Sequence, residues 1–195
     1  MRERLTSRIG RALRRVRAHE SELIFHLATL EMVPAVITVT SPAFSDHGAL
    51  PVRYTADGER LSPPLAWSGV PPAAASLVII VEDADSPTSL PFVHAIVWAL
   101  AGADGELPVG ALPHPGDLLR NSTSMGRNSL LTVGYLAPEP PWGHGTHRYA
   151  FEVFALDSRP RLNSAVAAPG RGQVVEWLTR HAIAKGMLIG LYERP

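Results

Sequence analysis

A chain of 195 residues, 46% of them hydrophobic, is long enough to bury one substantial core. The formal net charge is zero but unevenly divided: residues 1–33 carry seven Arg against four acids, and residues 34–195 carry 11 bases against 14 acids. The mildly acidic body disfavours nucleic-acid binding, and the absence of cysteine excludes a disulfide framework and thiolate chemistry.

Residues 1–33 are predicted to form an amphipathic helical leader that precedes a main domain of residues 34–195. Apolar residues recur at helical spacing among the arginines, first at Leu5, Ile9, Leu13 and Val16 and then more densely at Leu23, Ile24, Leu27 and Leu30. The apolar run is shorter than the roughly 20 residues that a membrane span needs, and it lacks a small-residue cleavage site. We therefore expect neither a signal peptide nor stable membrane insertion, and we predict a cytoplasmic protein.

The apolar stripes of the leader must be covered, because an isolated helix of this length is marginal in water. A membrane surface, the body of the same chain and a second subunit are the alternatives. Glu20, Glu22 and Glu31 surround the most apolar part and would be repelled by anionic lipid. Exchange of the leader within a homodimer is the prediction, since symmetric self-association is the commonest oligomeric outcome. Deletion of residues 1–33 should then give a folded monomer.

The rest of the chain has the alternation and turn residues of a β-rich domain. Strands are predicted at Val36–Thr40, Leu50–Thr55, Ser76–Val81, Phe92–Leu100, Tyr149–Leu156 and Met187–Tyr192. A helix is predicted over Gln173–Ala184, with Gly186 as its C-cap. Because strands and helices do not alternate, the predicted fold class is mainly β with flanking helices.

Polar residues directly follow the predicted strand SLVIIV. Asp83 and Asp85 come first, and Pro87 then ends the run. Such an Asp-x-Asp can bind a metal through its oxygens, orient a His, or end the strand with Asx turns. His94 lies in the next predicted strand, and strands joined by so short a loop often pair. An Asp–His pair beside a space for an anion is therefore a reasonable interpretation, since imidazole can donate from one nitrogen while a carboxylate holds the other.

A proline-rich loop leads into the strand predicted at Tyr149–Leu156. Its prolines and glycines are Pro138, Pro140, Pro141, Gly143 and Gly145. Prolines fix φ and remove backbone donors, while glycines permit tight turns. The stiff loop would deliver His147 and Tyr149 to a core strand, whose alternation is that of a half-buried strand, and so build a small polar pocket. A proline-rich turn before an ordinary strand is the alternative interpretation.

Two segments carry a resemblance to a known family. The segment EDADSPTSLPFVHAIVW resembles the first signature of the phosphatidylethanolamine-binding protein family, in which paired Asp and a Pro precede a His on the next strand. The segment GYLAPEPPWGHGTHRYAFEVFALD resembles the second signature. The opening SPAFSDHGALPVRYTADGERLSPPLAWSGVP and the ending HAIAKGMLIGLYERP are similar to the bacterial branch, often called Raf kinase inhibitor-like. The resemblance covers residues 36–193.

The resemblance implies a large antiparallel sheet packed on a smaller sheet, with a pocket that accepts a small anion or a phosphorylated head group. Carried onto this sequence, the ligand-binding residues would be Asp83, Asp85, Pro87, His94, Tyr135, Ala137, Pro138, Glu139, Pro140, Pro141, His147 and Tyr149. The family's members are non-enzymatic binding and regulatory proteins, so no catalytic residue, cofactor or metal is implied. A kinase or a protease is the implied class of protein partner. Glu139 departs from the small residue that the family tends to have, and its carboxylate would repel an anion.

Two other functions stay open at this point. An interaction scaffold would keep the pocket without using it. A metal-dependent hydrolase would use Asp83, Asp85, His94 and His147, which are suitable ligands for zinc or another divalent ion. The sequence contains no HExxH, no GxSxG and no phosphate-binding glycine loop, which argues against catalysis.

Overall fold

Two β-sheets build the body of the protein in the computed structural model, which describes residues 2–116, 124–161 and 168–195. The strands are β1 (Thr38–Thr40), β2 (Gly48–Ala49), β3 (Leu65–Ser68), β4 (Ser76–Asp83), β5 (Phe92–Ala101), β6 (Gly105–Leu107), β7 (Ser124–Met125), β8 (His147–Leu156) and β9 (Ala182–Tyr192). The larger sheet has the order β2-β9-β8-β4-β5-β7, and the smaller has the order β1-β3-β6. Neighbouring strands are antiparallel except β2 with β9. The predicted fold class is confirmed.

The large sheet is buried on both faces, because each face has its own cover. Leu77 and Ile79 of β4 pack with Trp67 of the small sheet. Val78 and Ile80 pack on the opposite face. Burial on both faces accounts for the uninterrupted apolar run SLVIIV. Strand β8 is enclosed in the same way, so the half-buried strand expected from its alternation is in fact buried on both sides.

Helix α2 (Arg171–His181) and the second half of the leader cover the second face of the large sheet. The leader forms three consecutive 3-10 turns there, at Glu20–Glu22, Ile24–His26 and Ala28–Leu30. Ile24 and Leu30 are fully buried in the same apolar cluster as Val174 of α2. The second half of the leader thus packs on the body of its own chain.

The helical pattern predicted for the second half of the leader is wrong. Helix α1 (Arg2–Leu13) ends well before it. Leu23 and Leu27 have extended backbone, with ψ of 144° and 137°, and these two residues separate the 3-10 turns from one another. The apolar residues are buried as the pattern requires, but a continuous α-helix does not present them.

Hydrogen bonds to the sheet explain why the turns replace a helix. The amide of Ile24 donates to Oε2 of Glu82 at 2.9 Å. Nζ of Lys185 donates to the carbonyls of Phe25 and Leu30 at 2.8 and 2.9 Å. Backbone groups that an α-helix would pair internally are therefore satisfied by side chains of β4 and β9. Exchange of the leader within a homodimer stays a prediction, which the mass in solution would test.

The strand predicted at Leu50–Thr55 is also wrong. Val52–Tyr54 form a 3-10 helix instead. Pro51 precedes it with φ of −58°, and the hydroxyl of Thr55 donates to the Val52 carbonyl at 2.9 Å. Local hydrogen bonds of this kind compete with sheet pairing.

Helix α2 ends earlier, and the last strand begins earlier, than the sequence predicts. The helix stops at His181, and Ala182 already has extended backbone with ψ of 127°. Gly186, the predicted C-cap, lies inside β9, where a Cβ would lie 2.1 Å from the carbonyl oxygen of Ile37. The glycine is therefore needed for a close approach of two chain segments. Pairing of β9 with β8 along its length overrides the helical pattern of residues 182–184.

Candidate functional site

A cavity of about 340 Å³ opens beside the meeting ends of β4, β5 and β8. Of the residues that the sequence predicts to bind a ligand, eight line this cavity: Asp83, Pro87, His94, Ala137, Glu139, Pro140, Pro141 and His147. Four predicted residues lie outside the lining: Asp85, Tyr135, Pro138 and Tyr149. The lining residues that the sequence patterns did not indicate are Ala56, Arg60, Ser86, Thr88, Phe92, His114, Leu130 and Leu136.

Strand pairing brings the two signature segments together. Asp83, the last residue of β4, lies opposite Phe92 at the start of β5 and opposite Tyr149 near the start of β8. His94 follows Phe92 by two residues, and His147 precedes Tyr149 by two. Both imidazoles line the cavity, as the alternation of side chains along a strand allows. The expectation that strands joined by this short loop pair with each other is confirmed.

Asp83 and His147 form a buried pair. Nδ1 of His147 lies 2.7 Å from Oδ2 of Asp83, and the imidazole is fully buried. The amide of Asp85 donates to the other oxygen of Asp83 at 2.9 Å. Because both carboxylate oxygens are held, the orientation of the pair is fixed.

A second histidine extends this pair towards the leader. Nε2 of His147 lies 2.7 Å from Nδ1 of His144. Nε2 of His144 lies 2.9 Å from the carbonyl oxygen of Leu13 and 3.2 Å from that of Val16. We call Asp83, His147 and His144 the histidine relay. It joins the cavity wall to the end of α1.

The three contacts of the histidine relay, from Asp83 to the Leu13 carbonyl, need one hydrogen each. Burial lowers the pKa of His144, and neighbouring positive charge lowers it further. As a neutral ring, His144 gives its hydrogen to the Leu13 carbonyl and accepts at Nδ1 from His147.

His94 has a different hydrogen-bonding state. Its Nδ1 lies 2.7 Å from the carbonyl oxygen of Leu136, which can only accept. Burial lowers the pKa of His94, although Asp83 opposes the shift. The neutral ring therefore carries its hydrogen on Nδ1, and its Nε2 has a lone pair with no partner in the described part of the chain. The ring edge packs against Phe92 and Tyr149, with centroids 5.1 and 5.3 Å away.

Tyr135 and Tyr149 lie next to the cavity without lining it. Both side chains are buried, and within residues 2–116, 124–161 and 168–195 their hydroxyls have no hydrogen-bond partner. Burial raises the pKa of both phenols, so both keep their hydrogens. Pro138 contributes through its carbonyl, which accepts from the amide of Ala56 at 2.9 Å and so fixes one side of the loop.

Asp85 was expected in the wall of the pocket, and the structure places it behind that wall. Nε and Nη2 of Arg148 donate to its two oxygens at 2.8 and 2.9 Å. Arg17 of the leader lies 3.0 Å from the same carboxylate, and Arg148 also bonds Glu20. Asp85 therefore ties the leader to β8.

Glu139 lies at the rim of the cavity, where 64% of its side chain is exposed and Nη1 of Arg194 lies 3.3 Å from its carboxylate. Because an exposed and paired carboxylate repels an anion only weakly, Glu139→Gln is expected to strengthen phosphate binding by less than about three-fold. Isothermal titration of wild type and variant with phosphate measures the change. A gain of about ten-fold or more would mean that the carboxylate turns into the cavity.

Arg60 and His114 are the polar lining residues that the sequence patterns missed. Arg60 has a positive φ of 61°, and its Nε lies 3.5 Å from the Ala56 carbonyl oxygen. Nδ1 of His114 lies 2.8 Å from the Pro115 carbonyl oxygen. Both residues lie in loops outside the two signature segments, so no local sequence pattern could have identified them as lining residues.

The geometry does not favour the hydrolase alternative. In the described part of the chain, no group of three or more His, Cys, Asp or Glu is arranged to hold a metal ion. Asp85 is engaged by two arginines, and both ring nitrogens of His147 are engaged within the relay. Among the same described residues, no helix has the length and apolarity needed to cross a membrane.

Comparison with known families decides the assignment of the chain. The profile described as "Phosphatidylethanolamine-binding protein" matches residues 40–193. The chain belongs to the phosphatidylethanolamine-binding protein family. Members of this family are in general non-enzymatic binding proteins. The resemblance inferred from the two signatures is thus confirmed.

Relatives and solved structures agree with the family. A UPF0098 protein of Methanothermobacter thermautotrophicus is 37% identical over 157 residues, which cover 78% of this chain and 95% of the relative. The homologue CT736 from Chlamydia trachomatis has a TM-score of 0.71 and 34% identity, covering 82% of this chain and 99% of its own. E. coli YbcL, a member of the mammalian PEBP family, has a TM-score of 0.71 and 29% identity, and the match covers 83% of this chain and 100% of YbcL.

Proposed function

We propose that this protein is a non-enzymatic binding protein whose cavity takes a small anion, either inorganic phosphate or the phosphorylated group of a small molecule. The observation that carries the proposal is the buried Asp83–His147 pair beside His94 in the wall of one cavity. A volume of about 340 Å³ lies at the small end of ligand pockets, which suits a phosphate with a short substituent.

The charges around the cavity are compatible with an anion. The two oxygens of the Asp83 carboxylate are held by His147 and by the amide of Asp85. Arg194 offsets Glu139 at the rim, and Arg60 adds a cation to the lining. A cavity that holds two carboxylates is therefore not net negative, and an anion does not meet uncompensated repulsion.

The role that follows from family membership is regulatory. We propose that the protein acts in the cytoplasm, as a homodimer, on a protein partner of the kinase or protease class. Support for the regulatory role comes from the family. The homodimer is inferred from the amphipathic pattern of the leader, and the mass in solution tests it. One relative, LppC of Mycobacterium tuberculosis, is named as a candidate lipoprotein, so location is worth measuring directly by fractionation.

Titration of the full chain with phosphate and phosphorylethanolamine tests the proposal. We expect saturable binding that weakens as pH rises, because protons on the histidines favour an anion. The double variant His94→Ala, His147→Ala should lose at least about ten-fold in affinity. His181→Ala is the matched control, since His181 is exposed at the end of α2 and bonds Asp157. Equal affinity in wild type and double variant would contradict the proposal, and a wild type that binds neither compound would favour the scaffold with an unused pocket.

A further inference from the structure

The hydrogen-bonding capacity of the cavity wall determines which anion fits it. Both ring nitrogens of His147 are engaged within the histidine relay. The hydroxyl of Thr88 donates to the Leu90 carbonyl at 2.6 Å, and Ser86 lies 2.7 Å from the Thr88 oxygen, so it donates there. These three polar residues of the lining have no hydrogen left for a ligand.

The free positions in the wall are acceptors. Nε2 of His94 carries a lone pair, because its Nδ1 hydrogen is given to Leu136. Nδ1 of His114 likewise faces a carbonyl, that of Pro115. Asp83, whose charge acts on His94, is an acceptor as well. An anion without hydrogen would therefore meet lone pairs on this side of the cavity.

Donors are available on the other side. Arg60 uses Nε towards the Ala56 carbonyl, and within the described residues its two terminal nitrogens make no hydrogen bond, although its charge also acts on Asp57. The side chain is largely exposed, so the guanidinium is placed at the mouth. The cavity thus has a cation at its mouth and acceptors in its wall.

We infer that the cavity takes a phosphate group that brings its own proton: its P–O–H group donates to Nε2 of His94, and its charged oxygens face Arg60. The inference rests on the proposed function and narrows it from anions in general to hydrogen phosphate and protonated phosphate monoesters. Sulfate has the same shape but no proton at neutral pH, so its oxygen would face the lone pair of His94 with no hydrogen between them. A site built around one hydrogen bond rejects an analogue that lacks it by large factors.

A cationic His94 would donate to sulfate and remove this discrimination. The titratable groups that act on His94 are Asp83 on β4 and His147 on β8, and Arg60, His114 and Glu139 line the same cavity. Asp83 favours the cation, whereas burial and His147 disfavour it. The measurement therefore belongs at about pH 7.5, above the ordinary histidine pKa of about 6.5, which burial lowers further.

Isothermal titration of the full chain with phosphate and with sulfate, at equal ionic strength, measures the discrimination. We expect phosphate to bind at least about 100-fold more tightly than sulfate. His94→Leu should reduce this ratio below about three-fold, because the acceptor is gone and either anion is tolerated equally. His181→Leu, which changes an exposed histidine on α2, should leave the ratio as in wild type. Circular dichroism verifies that each variant is folded.

A phosphate monoester provides a second readout that needs no variant. Glycerol 3-phosphate loses its last proton with a pKa of about 6, so its affinity should fall roughly 20-fold between pH 5.5 and 7.5. Inorganic phosphate keeps a proton at both values and serves as the control for titration of the histidines.

The outcomes separate the inference from the proposed function. Sulfate that binds as tightly as phosphate in wild type would overturn the inference while leaving an anion site. Loss of discrimination in His114→Leu but not in His94→Leu would also overturn it, because the acceptor would then be the wrong histidine. If neither anion binds, the proposed function fails as well.

Discussion

Removal of residues 1–33 is expected to unfold the protein, whereas removal of residues 1–17 leaves the body folded. The longer deletion takes away Leu23, Ile24 and Leu30, whose side chains are fully buried. Burial of such a side chain is worth about 1.5–3 kcal/mol, so their loss amounts to about 5–9 kcal/mol. That is comparable with the whole free energy of unfolding of an ordinary domain, about 5–15 kcal/mol.

The shorter deletion removes far less. It takes away α1, the contact of Arg14 with the Gly143 carbonyl, and the contacts of Arg17 with Asp85 and with the carbonyls of His144 and Thr146. The carbonyls of Leu13 and Val16, which lie next to Nε2 of His144, are lost as well. Partly exposed contacts of this kind contribute about 2–4 kcal/mol together. Ala18, which is buried and whose amide donates to the Ser86 carbonyl at 2.8 Å, is retained.

Urea unfolding of the two truncated chains, followed by circular dichroism, measures the difference. A stable chain of residues 34–195 with an unchanged midpoint would contradict the expectation and would support the boundary at residue 33 that the sequence suggested. We propose instead that the folding unit begins near residue 18 and that only α1 is an appendage. The folded monomer expected from a leader exchanged within a homodimer would therefore come from the shorter deletion.

Glu152→Leu is expected to raise the free energy of unfolding at neutral pH by about 1–4 kcal/mol. Glu152 lies in β8 on the sheet face that the leader covers, with no exposed surface. Neither carboxylate oxygen makes a hydrogen bond of ordinary geometry among the described residues, although the charges of Arg171 and Lys185 favour its ionised form. Its neighbour Glu82 is also buried, but Arg171 and the Ile24 amide bond that carboxylate. A buried carboxyl group without a partner costs free energy that a leucine would not.

The same residue makes stability fall with pH. Burial, reinforced by the negative charge of Glu82, raises the pKa of Glu152 well above its ordinary value of 4.5. The folded protein therefore holds a proton that the unfolded chain releases above about pH 4.5. The contribution of Glu152 to the free energy of unfolding is at its full value below about pH 4.5, and it decreases as the pH rises towards the raised pKa of the folded protein.

Urea unfolding at about pH 5 and pH 8 tests this expectation. Glu152→Gln is the matched variant, because it keeps the shape and removes the titrating group. It should flatten the decline in stability between the two pH values without the gain from apolar burial that leucine gives. A decline as steep in Glu152→Gln as in wild type would show that other groups cause it.

The sequence predicts most of the large sheet, and it fails where tertiary contacts compete with local pattern. The run SLVIIV and the segment from Phe92 are strands as predicted. The alternation along β8 is also correct, but it assigns Glu152 to the outer side of a half-buried strand. Only the folded chain shows that residues 20–30 cover that side, because their turns are held by Glu82 and Lys185 rather than by helix propensity.

The site is predictable to the extent that it lies in two short segments. The short loop after β4 predicts the strand pairing that brings Asp83 and His94 together, whereas the place of His147 beside them on β8 is implied by the resemblance to the family. The contact between His147 and His144 is not predictable, because three residues of spacing in a glycine-rich turn do not force two rings together. It depends on Gly145, whose φ of 100° lets the chain turn back sharply.

The large sheet has unusually short strands at its two edges, and this bears on how the protein avoids aggregation. Within the described residues, β2 and β7 each contain two residues, whereas the interior strands contain eight to eleven. An edge of this length offers few unpaired amides and carbonyls on which a strand from another molecule can form. Intermolecular extension of the sheet, which is the usual route to fibrils, is therefore disfavoured at the β2 edge. Self-association at that end of the sheet would then use side chains on the faces of the molecule or on the leader.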